Sequence, residues 1–354
     1  NTGCVPSKAI IHAAKIAHEN KKGHSTGLLS GEPASIDFKQ VMAHVHGSIK
    51  AIEPHDSIER YEGLGVSCAT GQAKIISPWE VEIQHVAESG AVTTEIRSAA
   101  NIIIATGGRP RLPQIPGLDQ VTYYTSDTLW QITALPKRLL ILGAGPIGCE
   151  LGQAFARLGS HVSMVDKGQF LMPREDEDVS QLVAAAMVAE GVVHIPGRSI
   201  SQFESSNGAH SAVLDNGDVI EFDALLLAIG REGNTENLGL ENVDLETDNN
   251  GFLAVDEYLQ TECPTIYACG DVIGGYQFTH VSAHEAWFAA VNSLFGRFKR
   301  FKADYRVIPW ATFTSPEVAR VGISETEAKM QNIAYESTQY GLDDLDRAIT
   351  DDAA

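Results

Sequence analysis

Short runs of consecutive apolar residues recur along the chain, and several of them end at a glycine. The run at 139–142 is followed by a glycine-rich turn, a helical stretch up to residue 158 and a second apolar run at 161–165. Short apolar runs bounded by glycine are typical of buried strands. A strand, a helix and a second strand in this order predict a βαβ unit, and therefore an α/β fold with parallel strands. Similar strand runs are predicted at 101–107, 225–230 and 265–271.

The remaining hydrophobic pattern predicts helices near the start and a further domain near the end. Residues 7–20 have apolar positions on one helical face, and Pro6 precedes them, so Cys4 is expected just before a helix N-terminus. A second helical stretch is expected at 35–64, short strands of a meander at 66–71 and 79–83, and a new strand at 310–314. The acidic segment after Gly341 fits no strand or helix pattern, and we interpret its charges around Asp344 as a solvated loop.

A nucleotide site is predicted inside the βαβ unit. Gly143, Gly145 and Gly148 form a GxGxxG pattern that follows a strand and opens a helix. These glycines permit a tight turn, a close approach of backbone N–H groups to a pyrophosphate and close packing of helix on strand. Asp166 ends the next strand, where a carboxylate accepts hydrogen bonds from ribose hydroxyls and repels a 2′-phosphate. NAD is therefore favoured, while the adjacent Lys167 leaves NADP as the alternative.

Composition narrows the possible partners and the compartment. With 354 residues and 44% hydrophobic content, the chain is long enough for two or three cores. A formal net charge of −20 disfavours nucleic acid and anionic lipid, and no apolar run reaches the roughly 18 residues of a membrane span. Five scattered cysteines do not form a secreted disulfide framework, so we expect the cytoplasm and catalytic cysteine chemistry.

Residues 1–8, NTGCVPSK, closely resemble the active-site segment of the class I pyridine nucleotide-disulfide oxidoreductases, the family of dihydrolipoyl dehydrogenase and mercuric reductase. The resemblance implies that Cys4 is the flavin-facing member of a redox-active pair whose partner falls two residues before Asn1. A thiol at a helix N-terminus with Lys8 one turn on has its thiolate stabilised by the dipole and the cation. We expect the chain to be truncated at both ends, since the FAD pyrophosphate motif and the C-terminal acid/base pair are also absent.

The resemblance extends over the whole chain with its motifs in the family's order, and it assigns roles to individual residues. The catalytic residues implied are Cys4, Lys8 and Glu150, of which the last two pair near the flavin. The residues implied to bind FAD are Lys8, Thr106, Gly107, Gly108, Asp271, Gln277, Phe278, Thr279 and His280. The predicted NAD site comprises Gly143, Ala144, Gly145, Pro146, Ile147, Gly148, Glu150, Asp166 and Gly230.

The implied fold has two Rossmann-like, three-layer domains, one for FAD and one for NAD(P), followed by the start of an α+β dimerisation domain. The expected boundaries place the FAD domain at 1–124 and 244–306, the NAD(P) domain at 125–243, and the incomplete dimerisation domain at 307–354. A homodimer is implied for the full-length protein.

The implied function is an FAD-dependent oxidoreductase that passes electrons between NAD(P)H and a redox-active disulfide, most like dihydrolipoyl dehydrogenase. One alternative is a mercuric-reductase-like enzyme that acts on a metal ion, and a second is a non-catalytic, nucleotide-binding redox sensor. A resident metal site is not predicted. His44 and His46 point to different helix faces, and although His280 and His284 share a face, their resemblance to a flavin-flanking segment favours a packing or cofactor-side role.

Overall fold

The computed structural model describes residues 3–87, 89–206 and 208–351. The α-helices are α1 (Cys4–Ser25), α2 (Phe38–Ile52), α3 (Ile58–Gly63), α4 (Pro146–Leu158), α5 (Glu177–Ala189), α6 (Thr279–Phe295), α7 (Glu325–Met330) and α8 (Asp346–Thr350). The strands are β1 (Gln72–Ser77), β2 (Glu80–Val86), β3 (Val92–Ser98), β4 (Ile102–Ile104), β5 (Gly108–Pro110), β6 (Tyr123–Thr125), β7 (Arg138–Leu142), β8 (His161–Asp166), β9 (Val193–Pro196), β10 (Ile200–Ser206), β11 (Ala209–Leu214), β12 (Val219–Phe222), β13 (Ala224–Leu227), β14 (Arg231–Gly233), β15 (Ile266–Ala268), β16 (Pro309–Thr312) and β17 (Val318–Val321). Short 3₁₀ helices lie at Glu53–Asp56, Leu118–Gln120, Leu129–Gln131, Leu240–Val243, Gly270–Ile273 and Leu342–Asp344.

A five-stranded parallel sheet in the order β6-β13-β7-β8-β9 forms the centre of the molecule. Its central strands are buried on both faces. Ile141 of β7 packs in one hydrophobic cluster with helix residues such as Phe155, while Leu140 packs in a second with residues of β10–β12 such as Phe203, and Leu140 and Ile141 are both 0% exposed. Helix α4 follows β7 directly and ends at Gly159, whose left-handed conformation suits a helix C-terminus. The predicted βαβ unit and the α/β fold are confirmed.

A smaller parallel ladder pairs β4 with β15. The antiparallel meander β1-β2-β3 comes directly before β4 in the sequence. The five-stranded sheet and the helices that follow its strands are called the central domain below. Helices α1 and α2 pack on it through buried residues such as Ile10 and Val45. After β4 and β13 the chain turns at Gly107 and Gly230, and the two following strands, β5 and β14, pair with each other. The two strand endings that look alike in the sequence therefore meet in space.

The last part of the described chain folds around the antiparallel hairpin β16-β17. Helix α7 follows it and begins with a capping box, in which Ser324 and Glu327 satisfy each other's backbone N–H groups. Asp176, from the central domain, accepts hydrogen bonds from the backbone N–H groups of Glu325 and Thr326. These contacts attach the hairpin segment to the central domain.

Three predictions about local structure are wrong. Residues 66–71 form no strand, because the meander ladder begins only where Gln72 lies opposite Gln84. Helix α1 begins at Cys4 itself rather than after it. The charged segment after Gly341 is not a loop throughout, because α8 forms there, with Arg347 and Asp351 paired one turn apart.

Helix α1 is 22 residues long and carries lysines and a glutamate along its length. None of the helices in the described ranges has both the length and the apolar character needed to cross a membrane.

Candidate active site

Two helix N-termini meet at the predicted redox cysteine. Cys4 is the first residue of α1 and Thr279 is the first residue of α6. The Cys4 Sγ lies 3.3 Å from the Thr279 Oγ1, and both side chains are exposed. A helix N-terminus favours negative charge, and a hydroxyl is able to donate a hydrogen bond to a thiolate. Asn1 and Thr2, which begin the sequence motif, lie outside the described residues.

The predicted Lys8 and Glu150 form an ion pair. The Lys8 Nζ lies 3.1 Å from the Glu150 Oε2, and the glutamate side chain is only 8% exposed. The Glu150 Oε1 accepts a hydrogen bond of 2.9 Å from the backbone N–H of Phe313, and the Lys8 ammonium lies 4.3 Å from the centre of the Phe313 ring. Lys8 therefore directs its charge to Glu150. The pair joins the cysteine helix α1, the helix α4 of the glycine loop, and the end of β16.

The glycine loop has the shape that a nucleotide phosphate needs. Gly143 has φ +110°, and a Cβ there would lie 2.3 Å from the Ala228 carbonyl oxygen. A Cβ on Gly148 would lie 2.1 Å from the Gly143 carbonyl oxygen, whereas one on Gly145 would meet nothing within 4 Å. Helix α4 has no side-chain cap, and Pro146 has no N–H. The remaining N–H groups of its first turn are thus available to an anion.

Asp166 lies at the end of β8 and is bound to the same loop. Its Oδ2 accepts a hydrogen bond of 2.8 Å from the N–H of Ala144, and its Oδ1 accepts one of 2.6 Å from the N–H of Gly168. Each carboxylate oxygen has two lone pairs, so further acceptor sites remain for ribose hydroxyls. Lys167 is exposed beside it. The loop and the carboxylate are compatible with a dinucleotide.

The predicted flavin-side residues around Gly108 and Asp271 also come together. Arg231 donates from Nε to the Asp271 Oδ2 at 3.2 Å and from a terminal nitrogen to the Gly108 carbonyl oxygen at 2.5 Å. A Cβ on Gly108 would lie 3.2 Å from the Asp271 Cβ. Gly107 has φ +71° and open space at its Cβ position, while Thr106 donates to the Asn234 carbonyl oxygen.

The segment 277–280 lies between this region and the hairpin β16-β17. The Gln277 Nε2 is buried and has no hydrogen-bond partner within the described residues, so it is able to bind a polar ligand. The rings of Phe278 and His280 are stacked, and Phe278 also stacks on Trp310. The His280 Nε2 lies 2.6 Å from the Pro309 carbonyl oxygen. An unpaired buried amide beside stacked rings suits FAD.

Two other cysteines are buried, whereas Cys4 is exposed. Cys149 is fully buried, and desolvation raises the pKa of its thiol to about 12. Desolvation likewise raises the pKa of the Cys269 thiol to about 11. Both thiols stay protonated at neutral pH and are weak nucleophiles. Cys4 is the exposed cysteine that lies among the predicted site residues.

At least one histidine of each pair considered in the sequence lies within hydrogen-bond distance of a backbone carbonyl oxygen. The His284 Nε2 lies 3.1 Å from the Asp304 carbonyl oxygen, and the His46 Nε2 lies 2.8 Å from the Trp130 carbonyl oxygen. Over the ranges that the structure describes, there is no group of three or more His, Cys, Asp and Glu side chains arranged to hold a metal ion.

Arg231 and Glu285 contact this site but were not predicted from the sequence. Arg231 directly follows the predicted Gly230, so its position was the available signal. Glu285 lies on the buried face of α6, where a charged residue interrupts an apolar pattern. A charge at such a position is a recognisable signal, because carboxylates are rarely buried without a partner.

Comparisons with known proteins agree with this geometry. Residues 1–286 match the family described as pyridine nucleotide-disulphide oxidoreductase, and residues 308–354 match its dimerisation domain. The mercuric reductase of Lysinibacillus sphaericus is 34% identical over 352 residues, which are 99% of this chain and 62% of that protein. The mercuric reductase of Streptomyces lividans is 35% identical, with 99% and 73% covered. The dihydrolipoyl dehydrogenase of Chlamydia pneumoniae is 32% identical, with 99% and 73% covered.

Solved structures of flavoprotein disulfide reductases also align with nearly the whole chain. The Cu(II) complex of the HOCl-induced flavoprotein disulfide reductase RclA from Escherichia coli aligns with a TM-score of 0.85 at 26% identity, covering 100% of this chain and 75% of that chain. LpdA from Mycobacterium tuberculosis aligns with a TM-score of 0.86 at 25% identity, covering 99% and 75%. The chain spans 62% of the length of the L. sphaericus relative.

Proposed function

The chain belongs to the pyridine nucleotide-disulphide oxidoreductases, and from that premise we propose that it is an enzyme that passes electrons between NAD(P)H and a redox-active disulfide that includes Cys4. The observation that carries this proposal is the Lys8–Glu150 pair. It connects the helix that begins at the cysteine with the helix that begins at the glycine loop. A partly buried ion pair in this position holds the two helices against each other.

Members of this family use FAD and NAD(P)H. FAD, when bound, supplies the step that relays electrons between nicotinamide and sulfur. In this proposal Asp271, Gln277 and the backbone at Gly107 hold FAD. The loop at Gly143–Gly148 and the N-terminus of α4 hold the dinucleotide phosphates. Thr279 and the N-terminus of α1 lie beside the sulfur of Cys4, whose thiolate is the form that reacts with a disulfide or a soft metal ion.

We propose NADH as the preferred reductant. The Asp166 carboxylate, fixed by two backbone N–H groups, is positioned to accept from ribose hydroxyls and disfavours a 2′-phosphate. The exposed Lys167 beside it keeps NADPH as the second candidate.

For the substrate we propose a small dithiol or its disulfide, as the name of the dihydrolipoyl dehydrogenase relatives suggests. The second candidate is mercuric ion, which is favoured by the names of the L. sphaericus and S. lividans relatives. Both substrates fit an exposed thiol such as Cys4. A homodimer is proposed from the match of residues 308–354 to a dimerisation domain. The cytoplasmic location and the domain boundaries at 124, 243 and 306 stay predictions.

The experiment is to supply the purified protein with FAD and to measure NADH- and NADPH-dependent reduction of lipoamide and of mercuric ion. The variant Cys4→Ser is expected to lower turnover at least about 100-fold, because the nucleophile is lost. Cys68→Ser, at a half-buried cysteine that is not among the predicted site residues, is the matched control and should stay within about twofold. FAD binding without turnover on either substrate would favour the redox-sensor alternative instead.

A further inference from the structure

Helix α6 presents an unusual buried face. Val281, Glu285, Ala289 and Asn292 lie on it, and Glu285 is 2% exposed while Asn292 is 1% exposed. Two polar side chains at this depth need complete sets of partners, because an unsatisfied buried polar group destabilises the fold, and a charged one does so more strongly.

Both carboxylate oxygens of Glu285 are used. The Oε2 accepts a hydrogen bond of 2.7 Å from the backbone N–H of Gly270, and the Oε1 accepts one of 3.0 Å from the hydroxyl of Tyr305. Desolvation raises the pKa of the Glu285 carboxyl and also that of the Tyr305 hydroxyl. The group is therefore held by two donors from two different segments.

The Gly270 N–H belongs to the turn that sets the direction of Asp271. Gly270 has φ +78° and begins the 3₁₀ helix Gly270–Ile273, which follows β15. The next residue, Asp271, directs its carboxylate to Arg231 beside Gly108. A change in the orientation of the Gly270 peptide would thus move the Asp271 carboxylate.

We propose that Glu285 is a positioning residue, which holds the Gly270–Asp271 turn in the shape that binds the flavin and connects this turn, through Tyr305, to the segment that leads into β16. The inference rests on the proposed function, since it assigns to Glu285 control over FAD affinity. Glu285 acts through Gly270 and Asp271 rather than by touching the cofactor.

The test compares Glu285→Met with Glu285→Gln, which are similar in size but differ in the ability to accept a hydrogen bond. FAD affinity is measured by quenching of FAD fluorescence, and amide hydrogen exchange of residues 269–274 is measured in the FAD-free protein. Glu285→Met removes both hydrogen bonds. It is expected to weaken FAD binding about tenfold or more, because the Gly270 N–H loses its carboxylate acceptor, and to speed exchange in the turn. Glu285→Gln should restore both to within about threefold of the unsubstituted protein.

Asn292→Leu is the matched control on the same helix face. Asn292 donates to the carbonyl oxygens of Tyr258 and Phe301 and accepts from the N–H of Phe301, away from the turn. This variant should lower the melting temperature but leave FAD affinity and exchange at 269–274 unchanged. Equal effects of Asn292→Leu and Glu285→Met would overturn the inference, because both would then reflect general destabilisation.

If Glu285→Met does not fold, Tyr305→Phe takes its place, since it removes one of the two donors to the carboxylate. It is expected to weaken FAD binding and speed exchange in the turn, by less than Glu285→Met. An unchanged turn and unchanged affinity would contradict the inference. An unsubstituted protein that does not bind FAD would contradict the proposed function, while the exchange measurement would still decide whether Glu285 holds the turn.

Discussion

Strands β4 and β13 carry the same sequence signature in different surroundings. Each is a short apolar run that ends at a glycine with positive φ, Gly107 after β4 and Gly230 after β13. Strand β13 pairs with β6 and β7, and all four of its residues are buried. Within the described residues β4 pairs with β15, and its middle residue, Ile103, is 39% exposed. The apolar run predicts a strand, but the neighbours decide how much it contributes to stability.

The glycines after β4 and β13 do not differ in this way, since a Cβ on Gly107 or Gly230 would meet nothing within 4 Å, but both differ from the glycines of the nucleotide loop. The loop that follows β7 is tightly packed, so Gly143 and Gly148 have backbone oxygens where a Cβ would lie. Gly107, after β4, has open space there. The nucleotide loop of the central domain thus excludes side chains by contact, whereas the turn after β4 disfavours them only through its φ angle.

The largest effect is expected for Gly148→Val. Because a Cβ there would lie 2.1 Å from the Gly143 carbonyl oxygen, the loop must deform, and we expect destabilisation above about 4 kcal/mol together with loss of NADH binding. Gly107→Ala should cost only about 1–2 kcal/mol, the strain of a left-handed alanine. For both variants, urea unfolding measures the loss of stability and NADH fluorescence measures the loss of NADH binding. Similar losses for the two variants would remove the distinction between the regions.

Core truncation in the two strands should give the next largest difference. Leu226 of β13 is 0% exposed, so Leu226→Ala should lower the free energy of unfolding by about 2–5 kcal/mol. Ile103, the corresponding residue of β4, is partly exposed, and Ile103→Ala should lower it by about 1 kcal/mol or less. Chemical unfolding followed by tryptophan fluorescence compares them. A larger loss at Ile103 would show that β4 is covered in the protein in solution.

The ion pair between Lys8 and Glu150 should contribute less, because Lys8 is 39% exposed. Lys8→Met leaves the Glu150 carboxylate without its cation, and we expect a loss of about 1–2 kcal/mol, below the value for a fully buried pair. Lys15→Met, on an exposed position of the same helix, is the control and should change stability by less than about 0.5 kcal/mol. Equal stabilities of the two variants would mean that the pair does not fix α1 on α4.

The smallest effect is a pH dependence at the start of β13. Hydrogen bonds from Arg138 lower the pKa of the Asp223 carboxyl, which lies just before β13. A carboxyl whose pKa is lower in the folded than in the unfolded protein stabilises the fold at pH values above its pKa in the unfolded protein. This stability is lost as the pH falls through its pKa in the folded protein. Between about pH 5 and 3, Asp223→Asn should therefore lose less stability than the unsubstituted protein. The melting temperature of both proteins is measured between about pH 5 and 3. An equal decrease in the two proteins over this range would contradict the prediction. The corresponding position before β4 is Ala100, which has no carboxyl to titrate.

Local sequence patterns predicted the βαβ unit well, because apolar runs, the glycine spacing and Asp166 are all close together in the sequence. Contacts between distant residues were not predictable in the same way. Arg231 and Asp271 are 40 residues apart, and no periodicity relates them. Lys8 and Glu150, 142 residues apart, were paired only by family resemblance. The failed strand at 66–71 had suitable residues but lacks a partner strand, which sequence alone does not reveal.

The central claim is that Cys4 faces the flavin as a thiolate. The direct measurement is the visible absorption spectrum of the FAD-loaded protein, recorded anaerobically with the cysteines as free thiols and the flavin oxidised, for the unsubstituted protein, Cys4→Ser and Cys68→Ser. We predict a long-wavelength thiolate-to-flavin charge-transfer band that Cys4→Ser abolishes and Cys68→Ser retains. A band that survives in Cys4→Ser, or an FAD-loaded protein with no such band at any pH, would contradict the account.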